Sequence, residues 1–149
     1  MPEVPYAWQD PHDPLLLPSG KTQRINVLGF LSRQNDFFPC IFECSVDADV
    51  VVACFDAFSL TLNKPTFVIL DNAPVHHGQI FEDEIEKWED RGLFLYYLPP
   101  YSPELNLIEI LWKHIKYYWL PRTAYKGFTF LREELDKVLS NIGNSYKFR

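Results

Sequence analysis

Cysteine is scarce in this 149-residue sequence, with three in all, Cys40, Cys44 and Cys54. An odd count without a CxxC pair excludes a disulfide framework and reads as reduced thiols in a cytosolic protein. No histidine stands at ligand spacing from them, so packing, not zinc, is the expected role. Glycine is sparse too: six residues against twelve prolines, which predicts stiff, structured loops in place of flexible linkers. No apolar run is long enough to span a bilayer. The polar, proline-rich start MPEVPYAWQDPHDP has no signal-peptide pattern. Positive charge is in deficit, with a net charge of −6. That argues against a dedicated nucleic-acid module, which carries a basic face. It leaves room for a core that gathers carboxylates around a metal while a separate module supplies affinity for DNA.

What is abundant is apolar and aromatic matter, 47% and 16% of the residues. This is the composition of a globular chain, and the length suits a single domain over residues 1–149. The charges are unevenly placed. Acids crowd between Glu82 and Asp90, and the bases Lys113, His114, Lys116, Arg122, Lys126 and Arg132 come later.

Residues 1–23 hold five prolines and little periodicity, and read as an extended lead-in. Arg24–Ser32 and Phe37–Cys44 have strand character. The polar Arg33–Asp36 between them predicts a hairpin, and Pro39 assigns the second strand to an edge or a bulge. Asp47 is a natural cap for a helix over Ala48–Leu62, though this stretch is apolar nearly all round and a strand is the alternative. Thr66–Leu70 is a short continuous apolar run, the pattern of a strand buried on both faces. Gly78–Arg91 predicts one amphipathic helix with Phe81, Ile85 and Trp88 inward and Glu82, Glu86 and Glu89 outward, stopped at Gly92. Leu93–Leu98 is a further buried strand. Ser102 and Pro103 then suit the N-cap and first position of a helix to about Trp119, with Leu105, Ile108, Trp112, Ile115 and Trp119 on its apolar side and Pro121 ending it. A last amphipathic helix spans about Phe130–Ile142. The order β-β-α-β-α-β-α-α predicts a mixed sheet covered by helices.

Two carboxylates stand out. Asp71 closes a buried strand, at the sheet edge where ligands of open α/β folds bind. Glu109 lies on the later helix, about two turns in, and helical spacing sets Asn106, Glu109, Lys113 and Lys116 on one face. A carboxylate beside an amide and two ammonium groups suits a divalent cation with a phosphate next to it. Phosphodiester cleavage by two such cations, ~3.5–4 Å apart, needs hard oxygen ligands from separate elements. Taken singly, each residue has a plainer reading. Asp71 can cap the following turn, Glu109 can pair with Lys113, Asn106 can hold the first helical turn, and Lys113 and Lys116 can serve the helix C-terminus.

Together the motifs say more. The run Val68-Ile69-Leu70-Asp71-Asn72-Ala73-Pro74-Val75-His76 resembles the second-aspartate motif of mariner-related insertion-sequence transposases of the DDE type. The run from Leu98 through Pro99-Pro100-Tyr101-Ser102-Pro103-Glu104-Leu105-Asn106-Leu107-Ile108 to Glu109, followed by Leu111-Trp112-Lys113 and Lys116, is similar to that family's third-acid motif. Thirty-seven residues separate Asp71 from Glu109. The resemblance runs from about Trp8 to the last helix. It implies an RNase H-like α/β fold, a mixed sheet flanked by helices, and Mg²⁺- or Mn²⁺-dependent DNA strand cleavage and transfer. Asp71 and Glu109 would be the catalytic metal ligands, supported by Asn72, His76 and Asn106. Lys113 and Lys116 would contact phosphates of the DNA, here the transposon ends.

The sequence departs from the family at one place. The family's first catalytic Asp lies on a central strand before the segment resembling Pro5-Tyr6-Ala7-Trp8, and no Asp precedes Trp8 here. Asp10 and Asp13 follow it in a proline-rich stretch. The expectation is therefore an N-terminally truncated domain lacking the first central strand, with an incomplete metal site. An upstream polypeptide could supply that strand, residues 1–23 could fill the slot, or the chain could be a degenerate fragment. The competing function is an inactive relic that serves as a DNA-binding or oligomerising module, for instance as a homodimer. A third is a simpler RNase H-like nuclease.

Overall fold

A computed structural model describes residues 23–147 of the chain. Its elements follow the expected order, with different bounds. Strand β1 (Asn26–Leu31) and strand β2 (Phe37–Phe42) form an antiparallel hairpin in which Gly29 faces Pro39. Asn35 turns the chain at a φ of 67°, a left-handed conformation that asparagine tolerates. Ser32 locks the turn: its hydroxyl accepts from the Asp36 amide and donates to the Asp36 carboxylate, both at 3.0 Å.

Helix α1 (Ala48–Ser59) settles the open choice between helix and strand. Its cap is the expected one: the Asp47 Oδ1 accepts from the Val50 amide at 3.0 Å. Strand β3 (Thr66–Leu70) follows, and strand β4 (Leu93–Tyr97) pairs with it in parallel. Between them lie a 3-10 turn (Pro74–His77) and two short helices, α2 (Gln79–Glu82) and α3 (Ile85–Asp90). The expected single helix over Gly78–Arg91 is thus broken. At the break the Glu84 amide bonds back only three residues, to the Phe81 carbonyl at 3.2 Å, a tighter turn than the α-helix makes. Phe81 and Trp88 still both point inward and are fully buried.

Helix α4 (Leu107–His114) also starts later than expected, behind a 3-10 turn over Pro103–Leu105. Asn106 stands between the two with extended backbone, φ −90° and ψ 98°. Glu109 is therefore in the first turn of α4 and not two turns in. Leu105 falls outside the helix and is exposed, so it leaves the apolar stripe assigned to it. The last turn widens over Ile115–Trp119, and Pro121 keeps the chain from continuing it. Helix α5 (Phe128–Ser140) closes the described chain, with Leu135, Val138 and Leu139 buried.

Two apolar cores flank the strands. One holds α1, Phe81, Trp88, Leu70 and Leu93, with Leu28 and Phe30 of β1 against it. The other holds Leu111, Ile115, Leu135 and Val138, with Val27 and Leu31 of β1 against it. Alternate residues of β1 thus serve opposite cores, as the two-residue period of a strand requires. Strand β3 does not match the expectation of burial on both faces. Val68 and Leu70 turn to the α1 core, but Phe67 and Ile69 are 73% and 54% exposed. An apolar run fixes a strand, not which of its faces finds a cover.

Among the described residues the strands form two separate pairs, β1 with β2 and β3 with β4. Two glycines serve close geometry. A Cβ on Gly29 would stand 2.5 Å from the Phe37 ring and 3.3 Å from Trp112, so a larger residue there would have to displace the Phe37 ring. Gly92 takes a φ of +87° between α3 and β4. Gly92→Ala is expected to cost about 1–2 kcal/mol, the penalty of a left-handed L-residue. Urea denaturation at unchanged m-value would measure it.

Candidate active site

The site is built at the carboxyl tip of β3. Asp71 leaves the strand half-buried, and its Oδ1 accepts from the Ala73 amide at 3.1 Å. That turn points the chain into Pro74 and brings His76 back over the aspartate. The His76 Nδ1 donates to the Asp71 carbonyl at 3.1 Å and lies 3.3 Å from Asp71 Oδ1. Tyr97, at the end of β4, donates from its hydroxyl to the His76 carbonyl at 2.8 Å. The imidazole is thus held from two sides, against the aspartate and against Phe55 and Phe81 of the core.

Asn72 ties the two strand ends together by donating from its side chain to the Leu98 carbonyl. That bond seats the Leu98–Pro103 loop beside Asp71. The loop then delivers α4, whose first turn carries Glu109. Asp71, Asn72, Asn106 and Glu109 line one cavity of about 180 Å³. The two carboxylates met in the sequence therefore share a cavity, with two side-chain amides beside them. Asn106 makes no capping bond with its side chain, though its carbonyl accepts from the Glu109 amide at 3.1 Å.

Lys113 and Lys116 are exposed and do not line this cavity. Neither pairs with Glu109, so the plain reading of Glu109 as half of an i,i+4 ion pair does not hold among the described residues. Tyr101 is a site residue whose role the motif alone did not single out. Its backbone is left-handed at a φ of 58°, and its ring stands fully exposed on the cavity wall. The sequence signal was the rigid Pro99-Pro100 before it and Pro103 after it, which hold a strained turn in place.

The donor set suits a hard cation. Asp71 keeps its second oxygen free of hydrogen bonds, and Glu109 has no ion pair, among the described residues. Carboxylate and amide oxygens of this kind fit Mg²⁺ or Mn²⁺ better than a softer metal. No cluster of three or more His, Cys, Asp or Glu side chains able to hold a metal occurs among the described residues.

A mixed α/β domain with one carboxylate at a strand tip and a second on a helix lining the same cavity is the class that this fold and site define. A family model described as DDE superfamily endonuclease matches residues 2–132, and the chain belongs to that family. No curated protein matches it. Membership carries a transposase-like nuclease function with DNA as substrate, in a family that typically uses divalent metals. No helix among the described residues is long and apolar enough to cross a membrane.

Proposed function

We propose that this chain is the catalytic domain of an insertion-sequence transposase related to the mariner group, cutting and joining DNA strands at transposon ends. The observation that carries the reading is the meeting of Asp71 and Glu109 in one cavity. Both would hold Mg²⁺ or Mn²⁺, with Asn106 beside them and Asn72 and His76 fixing the position of Asp71. A bound divalent cation supplies Lewis-acid polarisation of the phosphodiester and charge neutralisation at the leaving oxygen. The residues themselves orient, through the Asp71–His76 contact and the Asn72 tie to Leu98. Lys113 and Lys116, on the exposed side of α4 and the turn after it, would meet the DNA backbone away from the cut.

The competing reading, an inactive relic that binds DNA or oligomerises, needs no bound metal. Titration with Mn²⁺ followed by electron paramagnetic resonance separates the two. The first reading expects a bound ion whose affinity falls in both Asp71→Asn and Glu109→Gln. No bound Mn²⁺, or binding indifferent to both changes, would sink it and leave the relic. The lysines are tested by DNA affinity. Lys113→Ala and Lys116→Ala are each expected to weaken binding to any duplex alike and to reduce the salt-dependence slope by ~1.

A further inference from the structure

Two of the three thiols meet where the hairpin lies on α1, and the packing sets their meeting. Leu28 and Phe30 of β1 pack against the α1 core. Directly across the hairpin from them stand Cys40 and Phe38. Residues opposite each other on paired strands share a face, so Phe38 and Cys40 also turn toward α1. The Phe38 ring accordingly meets Phe58 of α1, with centroids 5.5 Å apart.

Direction then brings the cysteines together. Asn26, at the start of β1, bonds the Cys44 carbonyl ahead of α1 at 2.8 Å. Phe30, near the end of β1, stacks on Phe58 near the end of α1, with centroids 4.0 Å apart. Strand β1 therefore runs alongside α1 in the same sense, and β2, antiparallel to β1, runs against it. From the Phe38–Phe58 contact, two residues forward along β2 advance ~7 Å. Four residues back along α1 advance ~6 Å in the same direction and keep to one helix face. The first step ends at Cys40 and the second at Cys54. Their side chains touch, with the Cys54 thiol donating a hydrogen bond to the Cys40 sulfur.

The two thiols are unlike. Cys54 is 2% exposed, whereas Cys40 is half-buried. The hydrogen bond from Cys54 holds the Cys40 thiol below its ordinary value, against the opposing effect of burial. The same bond, together with burial, pushes the Cys54 thiol up. Thiolate is the attacking form of cysteine, so Cys40 is both the more accessible and the more reactive of the pair.

We infer that Cys40 and Cys54 form a reversible dithiol–disulfide pair, oxidised by low-molecular-weight disulfides of the glutathione type. The Cys40 thiolate attacks one sulfur of the oxidant, which gives a mixed disulfide and releases one thiol. The Cys54 sulfur then attacks the Cys40 sulfur, and the second thiol leaves. Two protein S–H bonds and one oxidant S–S bond become one protein S–S bond and two S–H bonds, and the two electrons pass to the oxidant. Cys54 needs no solvent access for its step, because its target is already in contact. The crosslink fastens α1 to the hairpin one residue from Phe55, the ring that lies against His76. A disulfide that forms and breaks in this way agrees with thiols that are reduced at rest.

The test treats the full chain with oxidised glutathione, alkylates the remaining thiols in denaturant and maps the products by mass spectrometry. A Cys40–Cys54 linked peptide is expected, lighter by two hydrogens, with glutathione on the exposed Cys44 and complete reversal by dithiothreitol. Cys54→Ala is expected to strand glutathione on Cys40. Cys40→Ser, at a half-buried strand position, is expected to leave Cys54 unmodified, and it keeps the test valid should the alanine change unfold the core. Recovery of Cys40 and Cys54 as alkylated free thiols after the treatment overturns the inference. So does a linked peptide that joins Cys44, a link between two chains read as doubled mass, or glutathione that stays on Cys40 in the unaltered chain.

Discussion

Asp71→Asn and Glu109→Gln are each expected to lower cation-dependent DNA cleavage by roughly a thousandfold in whichever assembly carries it. The size follows from charge. Two unit charges about 4 Å apart interact by ~4 kcal/mol at an effective dielectric of 20, and each ~1.4 kcal/mol is a factor of ten in rate. Both changes keep shape and hydrogen-bonding capacity. In Asp71→Asn the side-chain oxygen can still accept from the Ala73 amide, and Glu109 has no ion pair to lose among the described residues. Thermal stability is therefore expected to stay near wild type, so lost cleavage reports the site and not the fold. The double variant should be little worse than either single one, because groups acting as a unit are not additive. Nicking of supercoiled plasmid in Mn²⁺ measures all three. Wild-type nicking by either single variant would remove that residue from the metal site. His76→Ala, which only positions Asp71, should cost far less.

The parts of this site that were legible in the sequence are those fixed by local chemistry. Asp47 capping α1 and Gly92 ending α3 each depend on a few neighbouring residues, and both stand as read. The motif around Asp71 and the one ending at Glu109 were legible because their spacing is a chain property. Less legible was whatever depends on distant packing. The break between α2 and α3 falls inside a good amphipathic pattern, since Phe81, Ile85 and Trp88 keep their inward face across a tightened turn. The late start of α4 hinges on Asn106, which helical periodicity treated as one more position on a face. The exposure of Phe67 and Ile69 depends on what covers the far side of β3, which no local pattern carries. Lys113 and Lys116 share a helical face with Glu109 on paper, but only Glu109 reaches the cavity, because the cavity sits at the first turn of α4.

The largest effect on stability is expected from Trp88→Ala, about 3–5 kcal/mol as for other fully buried aromatics. Trp88 is wholly buried, stacks on Phe55 at 5.1 Å and meets the edge of Phe81 at 5.0 Å. It also donates from its indole nitrogen to Asp56 at 2.8 Å. Around that aspartate stand Lys87 at 3.1 Å and Arg91 at 3.3 Å, and Arg91 also donates to Ser59 at 2.9 Å. The network fastens α3 to α1. Burial of Asp56 disfavours its charged form, yet the hydrogen bonds from Trp88 and Lys87 and the charges of Lys87 and Arg91 outweigh that. They hold the carboxyl below its ordinary value. A carboxylate with a depressed folded pKa contributes stability above its unfolded pKa of ~3.9, and that contribution is lost as pH falls through the folded value. Trp88→Phe separates packing from hydrogen bonding. It keeps most of the ring but loses the donor, so it should cost less than the alanine change, about 1–2 kcal/mol, and should flatten the loss of stability below pH ~4. Urea denaturation at neutral and acid pH reads both effects. If Trp88→Phe keeps the full acid sensitivity of the wild type, the indole is packing alone, and Lys87 and Arg91 hold Asp56 without it.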